Sequence, residues 1–305
     1  MAMLQEVFYW IFNMSIVAAL TTGIIALIGL VKRIPRRMMA LLWLISALRM
    51  TVPLGLSSPY SLMSLLSRIT TKTVVVLRPM PGMDFTMTNM TMAANSYFPV
   101  TYKTNILGDV FATASVVWIV VALAILLLLV VLYVTTLHEL KDASPLRENI
   151  YLSEKVTSPA VYGILRPKII LPAGWAERDL ELILLHERTH IRRGDNLWRM
   201  LAFVLVAIHW FNPVAWMFLK LLLTELELAC DEDVLAQLGE DRRKEYALSL
   251  LDSKAGRNVF ASAFGGAKIR TRIENILSYR KMKWISLVAF AGLTLSISYV
   301  LLTNA

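Results

Sequence analysis

His186, Glu187 and His190 stand together in the run "LLHERTH". Histidines four residues apart lie one above the other on a helix, so both imidazoles can point at one metal ion. Neutral imidazoles bind zinc at about 2.0–2.1 Å, and the metal lowers the pKa of its water to about 7. Glu187, one position round the helix, is placed to take that proton and pass it to the leaving amine of a peptide. The chain has four histidines, 138, 186, 190 and 209, and two of them fall at ligand spacing. A catalytic Zn2+ also needs a third protein ligand. The candidate is Glu227 in "TELELACDEDVL", Thr224–Leu235, which reads as a helix with Leu226, Ala229, Cys230, Val234 and Leu235 inward. Glu227 and Asp231 are four apart on one face, so Asp231 can hold a ligand imidazole by its other N–H. Glu225, Glu232 and Asp233 read as a solvated acidic face.

These residues need helices to position them. "AERDLELILLHERTHIRR" predicts one, with apolar spacing at Leu180, Ile183, Leu184 and Ile191, acids early and arginines late. The rest of the chain is unusually apolar: 305 residues, 57% hydrophobic, 17% charged, mean hydropathy +0.59. Soluble domains average about 45–50% apolar and about 25% charged, so this composition predicts a membrane protein. Apolar runs predict spans at about 7–31, 38–56, 110–137 and 284–302; Arg49 and Pro53 interrupt the second. The first run lacks a basic leader and a small-residue cleavage site, so it reads as a retained span.

The formal charge of +9 is unevenly spread. Lys32, Arg33, Arg36 and Arg37 crowd the linker between the first two runs, while the loop 57–109 holds only Arg68, Lys72, Arg78 and Lys103. By the positive-inside bias, the amino terminus and that loop lie outside, and the region from His138 onward lies in the cytoplasm. Topology and anionic lipid account for the excess charge, without direct nucleic-acid binding. The single cysteine, Cys230, excludes an intrachain disulfide.

A fifth run, Leu197–Leu223, has basic flanks on both sides, which favour the same face of the membrane. It is too short to cross twice, and Asn212-Pro213 breaks it near its middle. Two helices meeting at "HWFNP" are therefore expected, packed in the catalytic domain or lying against the bilayer, with Arg199, His209 and Lys220 able to reach water or headgroups.

Together, "LLHERTHIRRGDNLWR", "HWFNPVAW", "ELELACDEDVL" and "FGGAKIRTRIENIL" resemble the BlaR/MecR-type membrane zinc metallopeptidases, the peptidase portion of beta-lactam sensor-transducers. The resemblance implies His186, His190 and Glu227 as zinc ligands and Glu187 as general base. It also implies signal transduction in a bacterial cytoplasmic membrane, by cleavage of the chain itself or of a cytoplasmic transcriptional repressor that controls genes such as antibiotic resistance. It does not extend to the penicillin-binding sensor domain, and the outer loop has no S-x-x-K motif, so beta-lactam sensing is not expected of this chain itself.

Other residues keep two readings. "AVYGILRPKIILP", Ala160–Pro172, reads as a hairpin, either structural or an edge that binds substrate as an added strand. His209 is an oxyanion stabiliser or a packed interfacial residue. Cys230 reads as a buried thiol. Asp195 faces the side of His186 or caps the next helix. In "SKAGRNVFASAFGGAKIR", Ser253–Arg270, the bond Ala263–Phe264 is the expected self-cleavage point, because small residues precede a large apolar one and two glycines follow.

The expected fold is mainly α: four transmembrane helices, with a gluzincin-like α+β zinc peptidase domain between spans three and four. The boundaries are a membrane region 1–137, a cytoplasmic peptidase domain 138–252, a linker 253–283 and a fourth span 284–305. Expected partners are a peptide or protein substrate, membrane lipid and a second copy of the chain. A quality-control peptidase for membrane proteins would use the same residues; a scaffold with a vestigial site is the non-enzymatic alternative.

Overall fold

A computed structural model of the protein describes residues 2–31, 34–51, 106–175, 180–239, 241–253, 267–279 and 284–302, and these are mostly helical. In order they form α1 (Ala2–Gly29), α2 (Arg36–Thr51), α3 (Ile106–Glu139), β1 (Ser144–Arg147), β2 (Ile150–Ser153), β3 (Ala160–Tyr162) and β4 (Lys168–Pro172). There follow α4 (Glu181–Arg193), α5 (Asp195–Ile208), α6 (Pro213–Leu238), α7 (Arg243–Ser253), α8 (Ile269–Ser278) and α9 (Trp284–Leu302).

Among the described residues, α1 and α3 are long and apolar enough to cross a bilayer. On α3, Val120, Leu123, Leu127, Leu128, Val131 and Val134 are all exposed, as an apolar helix surrounded by lipid requires. The helix α2 has 16 residues, and α9 has 19 and carries no charged residue. The second expected span beyond Thr51 and the loop 57–105 lie outside the described residues.

The run Leu197–Leu223 folds as a hairpin of α5 and α6 with its bend at His209–Asn212. The sequence dictates that bend. Asn212 Oδ1 accepts the Val214 N–H at 2.9 Å, and Pro213 occupies the first helical turn, where its missing N–H costs nothing. Asn212 Nδ2 also donates to Ser15 Oγ of α1 at 2.7 Å.

Two contacts fix the hairpin's depth. His209 Nε2 lies 3.0 Å from the Met50 carbonyl, near the last turn of α2. Arg36, at the first turn of α2, reaches Glu225 of α6 at 3.0 Å. The first half of α6 therefore runs antiparallel to the whole of α2, about 20 Å at 1.5 Å per residue. Ala18, Ile25, Met39, Leu42, Phe218 and Leu222 form part of the apolar core that α1, α2 and α6 share. The hairpin enters this bundle and returns, and both its ends, Asp195 and Glu227, emerge on the same side. Arg49 is buried in α2, and its Nε donates to the Leu301 carbonyl at 2.7 Å, capping the end of α9.

The small sheet has the order β1-β2-β4-β3, antiparallel except for the parallel β2–β4 pair. The expected hairpin is β3–β4, with Val161 opposite Ile169, and β3 is an edge strand. The pair β1–β2 was not expected, because four-residue strands carry too little alternation to read. Ile150, Ile169 and Leu171 pack against Leu184 and Ile191 of α4. Leu182, on another face of α4, packs with Val234 and Leu235 of α6, Tyr246 and Leu250 of α7 and Ile276 of α8. Helix α4 is thus held between the sheet and three helices.

The acidic face of α6 is not solvated. Glu225 pairs with Arg36, and Asp233 pairs with both Arg37 and Arg193. Glu232 accepts from the backbone N–H of Arg37 at 3.3 Å. Arg36 and Arg37, read only as part of a topology signal, are docking partners for the helix that carries Glu227. Burial pushes the Glu225 carboxyl up to about 6 although Arg36 pulls it down.

Candidate metal centre

The site begins at the end of α4. Gly194 takes a left-handed conformation, φ 66°, and its N–H bonds back to His190 and Ile191. A side chain there would be strained, and the tight turn starts α5 at once. Asp195 is thereby brought onto His190, with Oδ2 at 2.6 Å from Nδ1. It does not cap α5: the N-cap is Gly194, without a side-chain bond. Arg193 Nε holds the same carboxylate at 3.1 and 3.2 Å.

His186 is oriented through a chain of groups. Its Nδ1 lies 2.8 Å from the Tyr246 hydroxyl, which donates to Asp231 Oδ1 at 2.7 Å. Asp231 itself is 3.5 Å from Nδ1, so it acts on the ring through Tyr246. Arg272 grips the other side of Asp231, Nε to Oδ2 at 2.8 Å and Nη2 to Oδ1 at 2.6 Å.

These contacts assign the tautomers. His190 donates from Nδ1 to a carboxylate, and His186 donates from Nδ1 to a hydroxyl whose proton is committed to Asp231. Both Nε2 atoms then carry lone pairs, and they face each other 3.1 Å apart. Arg272 Nη2 lies 3.3 Å from His186 Nε2, consistent with an acceptor there. Burial, helped by Arg272 and His190, holds the His186 imidazole well below its ordinary value, so it stays neutral.

Glu227 faces both rings, Oε1 at 3.7 Å from His190 Nε2 and Oε2 at 3.9 Å from His186 Nε2. Arg199 Nη2 holds one oxygen at 2.6 Å and Arg272 Nη1 the other at 3.2 Å. Burial would raise this carboxyl, but His190, Arg272 and Arg199 outweigh it and hold Glu227 well below the usual carboxylate range. Two imidazoles and one carboxylate suit zinc.

Cys230 is the rival third ligand, since its Sγ and donor atoms of the two histidines lie within 4.8 Å of one another. The thiol, however, sits 3.6 Å from His186 Nδ1, the edge that donates to Tyr246, and 3.6 Å from the His186 carbonyl. Burial, with Asp231 and Glu227 beside it, raises the thiol well above its ordinary value, so it remains protonated and a poor ligand. Glu227 faces the lone pairs; Cys230 does not.

Glu187 is buried beside the pair. Burial raises its carboxyl above the ordinary value; His190 pulls it down and Glu227 pushes it up, and the rise prevails. Such a carboxylate is a stronger base. It also interacts with Tyr162 at the end of β3, whose phenol is pushed up to about 12 by burial and then by Glu187. Asn196 Nδ2 ties β3 to the start of α5 through the Val161 and Gly163 carbonyls, at 3.1 and 3.0 Å.

His209 is elsewhere. It is fully buried at the bend, one 14-residue helix away from Asp195, with its Nε2 on the Met50 carbonyl. That is packing in the bundle, out of reach of an oxyanion beside Glu187. Ala263 and Phe264 lie outside the described residues. Sequence reasoning missed Arg199, Tyr246 and Arg272. Arg272 carried a signal: it falls on the apolar face of α8 with Ile269 and Ile276, where an arginine needs buried partners.

A family model described as BlaR1 peptidase M56 matches residues 9–276. The regulatory protein BlaR1 of Bacillus licheniformis is 28% identical over 155 residues, 47% of this chain and 26% of that protein. The methicillin resistance mecR1 protein of Staphylococcus aureus is 29% identical over 144 residues, 44% of this chain and 25% of that protein. The regulatory protein BlaR1 of Staphylococcus aureus is 24% identical over 143 residues, 43% and 24% of the two chains. The chain thus spans about a quarter of the length of the curated relatives it matches.

Proposed function

The chain belongs to the BlaR1 peptidase M56 family, and from that premise we propose that it is a membrane-embedded, zinc-dependent endopeptidase that works as a signal transducer. The observation that carries this reading is the pair of Nε2 atoms 3.1 Å apart beside Glu227, with Glu187 next to them. His186, His190 and Glu227 hold the metal, and bound zinc supplies Lewis acidity towards water and the scissile carbonyl. Asp195 and Tyr246 keep both rings in the binding tautomer. Glu187 takes the proton from water and delivers it to the leaving nitrogen. A substrate lies extended along the edge strand β3, whose Tyr162 approaches Glu187.

In this proposal four spans carry the chain, the amino terminus lies outside, and the peptidase works at the cytoplasmic face. The basic residues Arg36 and Arg37, docked on α6, support that orientation through the positive-inside bias. Reporter fusions at Gly194 and Gly239 are expected to read cytoplasmic, and one at Ala94 external. An external signal at Gly239 alone would mean that the α5–α6 hairpin crosses, and the site would have to be rebuilt.

The proposed substrate is the chain itself, a cytoplasmic repressor, or both. The names of the relatives, regulatory and methicillin resistance proteins, support a regulatory role over quality control. Intact and Glu187→Gln proteins are compared by mass spectrometry after activation. A fragment beginning at or near Phe264, present only with intact enzyme, is the expected result. No cut within Ser253–Arg270 while another membrane protein is digested would favour the quality-control role.

A further inference from the structure

Arg272 comes from an unexpected direction. Residues 254–266, which include the proposed cleavage point, separate it from the rest of the metal centre, and α9 begins six residues after α8 ends. Yet it is 3% exposed, and its guanidinium contacts three members of the site. It makes a forked pair with Asp231, which is itself fully buried, touches Glu227 Oε2 at 3.2 Å and approaches His186 Nε2 at 3.3 Å. Ile276 of the same helix is fully buried against Tyr246 and Leu235, so α8 is seated and its arginine is directed inward.

We propose that Arg272 is a positioning residue of the metal centre, and that the helix leading into α9 thereby sets how tightly the metal is held. This rests on the zinc-centre reading above. The physical case is one of paired charge. Asp231 has no contact with water; its partners are Arg272 and the Tyr246 hydroxyl. With the arginine gone, an unpaired buried carboxylate would draw Tyr246 towards itself, and His186 would lose the acceptor that keeps its proton on Nδ1. Glu227 would lose one of its two guanidinium partners at the same time. Because Arg272 sits on the approach to α9, displacing that last helix displaces a support of two ligands.

The test uses the full chain in detergent, with zinc affinity measured by chelator competition and folding followed by circular dichroism. Arg272→Met is expected to weaken zinc binding about 10- to 100-fold, the range for loss of a group that supports a ligand. Arg272→Lys should recover part of this, since it keeps the charge and loses the fork. The double variant Asp231→Asn with Arg272→Met removes the stranded carboxylate and should fold well, yet still bind zinc weakly. Wild-type affinity in the double variant would assign Arg272 a purely structural role and overturn the inference. Unchanged or tighter zinc binding in folded Arg272→Met would overturn it too, the latter by making the guanidinium a competitor of the metal. A wild-type chain that binds no zinc would overturn the metal-centre reading itself, and this inference with it.

Discussion

Glu187→Gln is expected to abolish proteolysis while leaving zinc content and fold at wild-type levels. Glutamine keeps the shape of the side chain but cannot accept a proton, and general base catalysis is worth about 10²–10⁴-fold. The ligand atoms are untouched, because Asp195, Tyr246 and Asp231 orient the imidazoles without Glu187. The substitution also removes a charge that is unfavourable where it sits, since burial already raises the Glu187 carboxyl. Stability should therefore stay level or rise slightly. Peptide turnover and zinc stoichiometry on the same preparation provide the check. Full activity would end the proposed mechanism, and lost zinc would move Glu187 into the ligand set.

Glu227→Ala should lose the metal, whereas Cys230→Ala should keep it. The carboxylate faces both Nε2 lone pairs, and its removal leaves Arg199 and Arg272 as two cations pointing at the place a third cation must enter. Loss of a ligand and gain of repulsion act in the same direction, so zinc should fall below stoichiometry after dialysis. The thiol of Cys230 lies against Nδ1 of His186, the wrong edge of the ring, and is held protonated. Its replacement by alanine costs packing in a fully buried place and little else. Metal content by atomic absorption decides the matter: the opposite pattern would make Cys230 the third ligand.

What could be read from residue order alone was local. The spacing of His186 and His190, the break at Asn212-Pro213 and the inward set Leu226, Ala229, Cys230, Val234 and Leu235 all depend on neighbours within two turns, and each has the expected place in the fold. What escaped was long-range. Tyr246 is 60 residues from the ring it orients and Arg272 is 41 from its aspartate, and no periodicity joins them. Glu225 and Asp233 looked solvated because Arg36 and Arg37, which pair with them, stand on the far side of the third apolar run, and Arg193 is 40 residues from Asp233. Asp195 was ambiguous because both its readings placed it near a helix terminus; the left-handed turn at Gly194 decided between them. Strands β1 and β2 were too short to leave a pattern.

The hairpin has a mechanical consequence. Helix α6 is one uninterrupted rod from Pro213 to Leu238, wedged at its foot between α1 and α2 and carrying Glu227 fourteen residues further on. That is a lever arm of about 21 Å at 1.5 Å per residue. A tilt of about 5° about the foot carries the carboxylate through about 2 Å, roughly one full zinc–oxygen bond length, whereas a working site tolerates only about 0.2 Å. With the bundle in a bilayer, as proposed above, bilayer thickness and lateral pressure would act on the foot, and a small change in the lipid or in the packing of α1 and α2 would be geared up into a large one at Glu227. The salt bridges from Arg36 and Arg37 near the middle and upper parts of the rod are the guy-lines that hold it still.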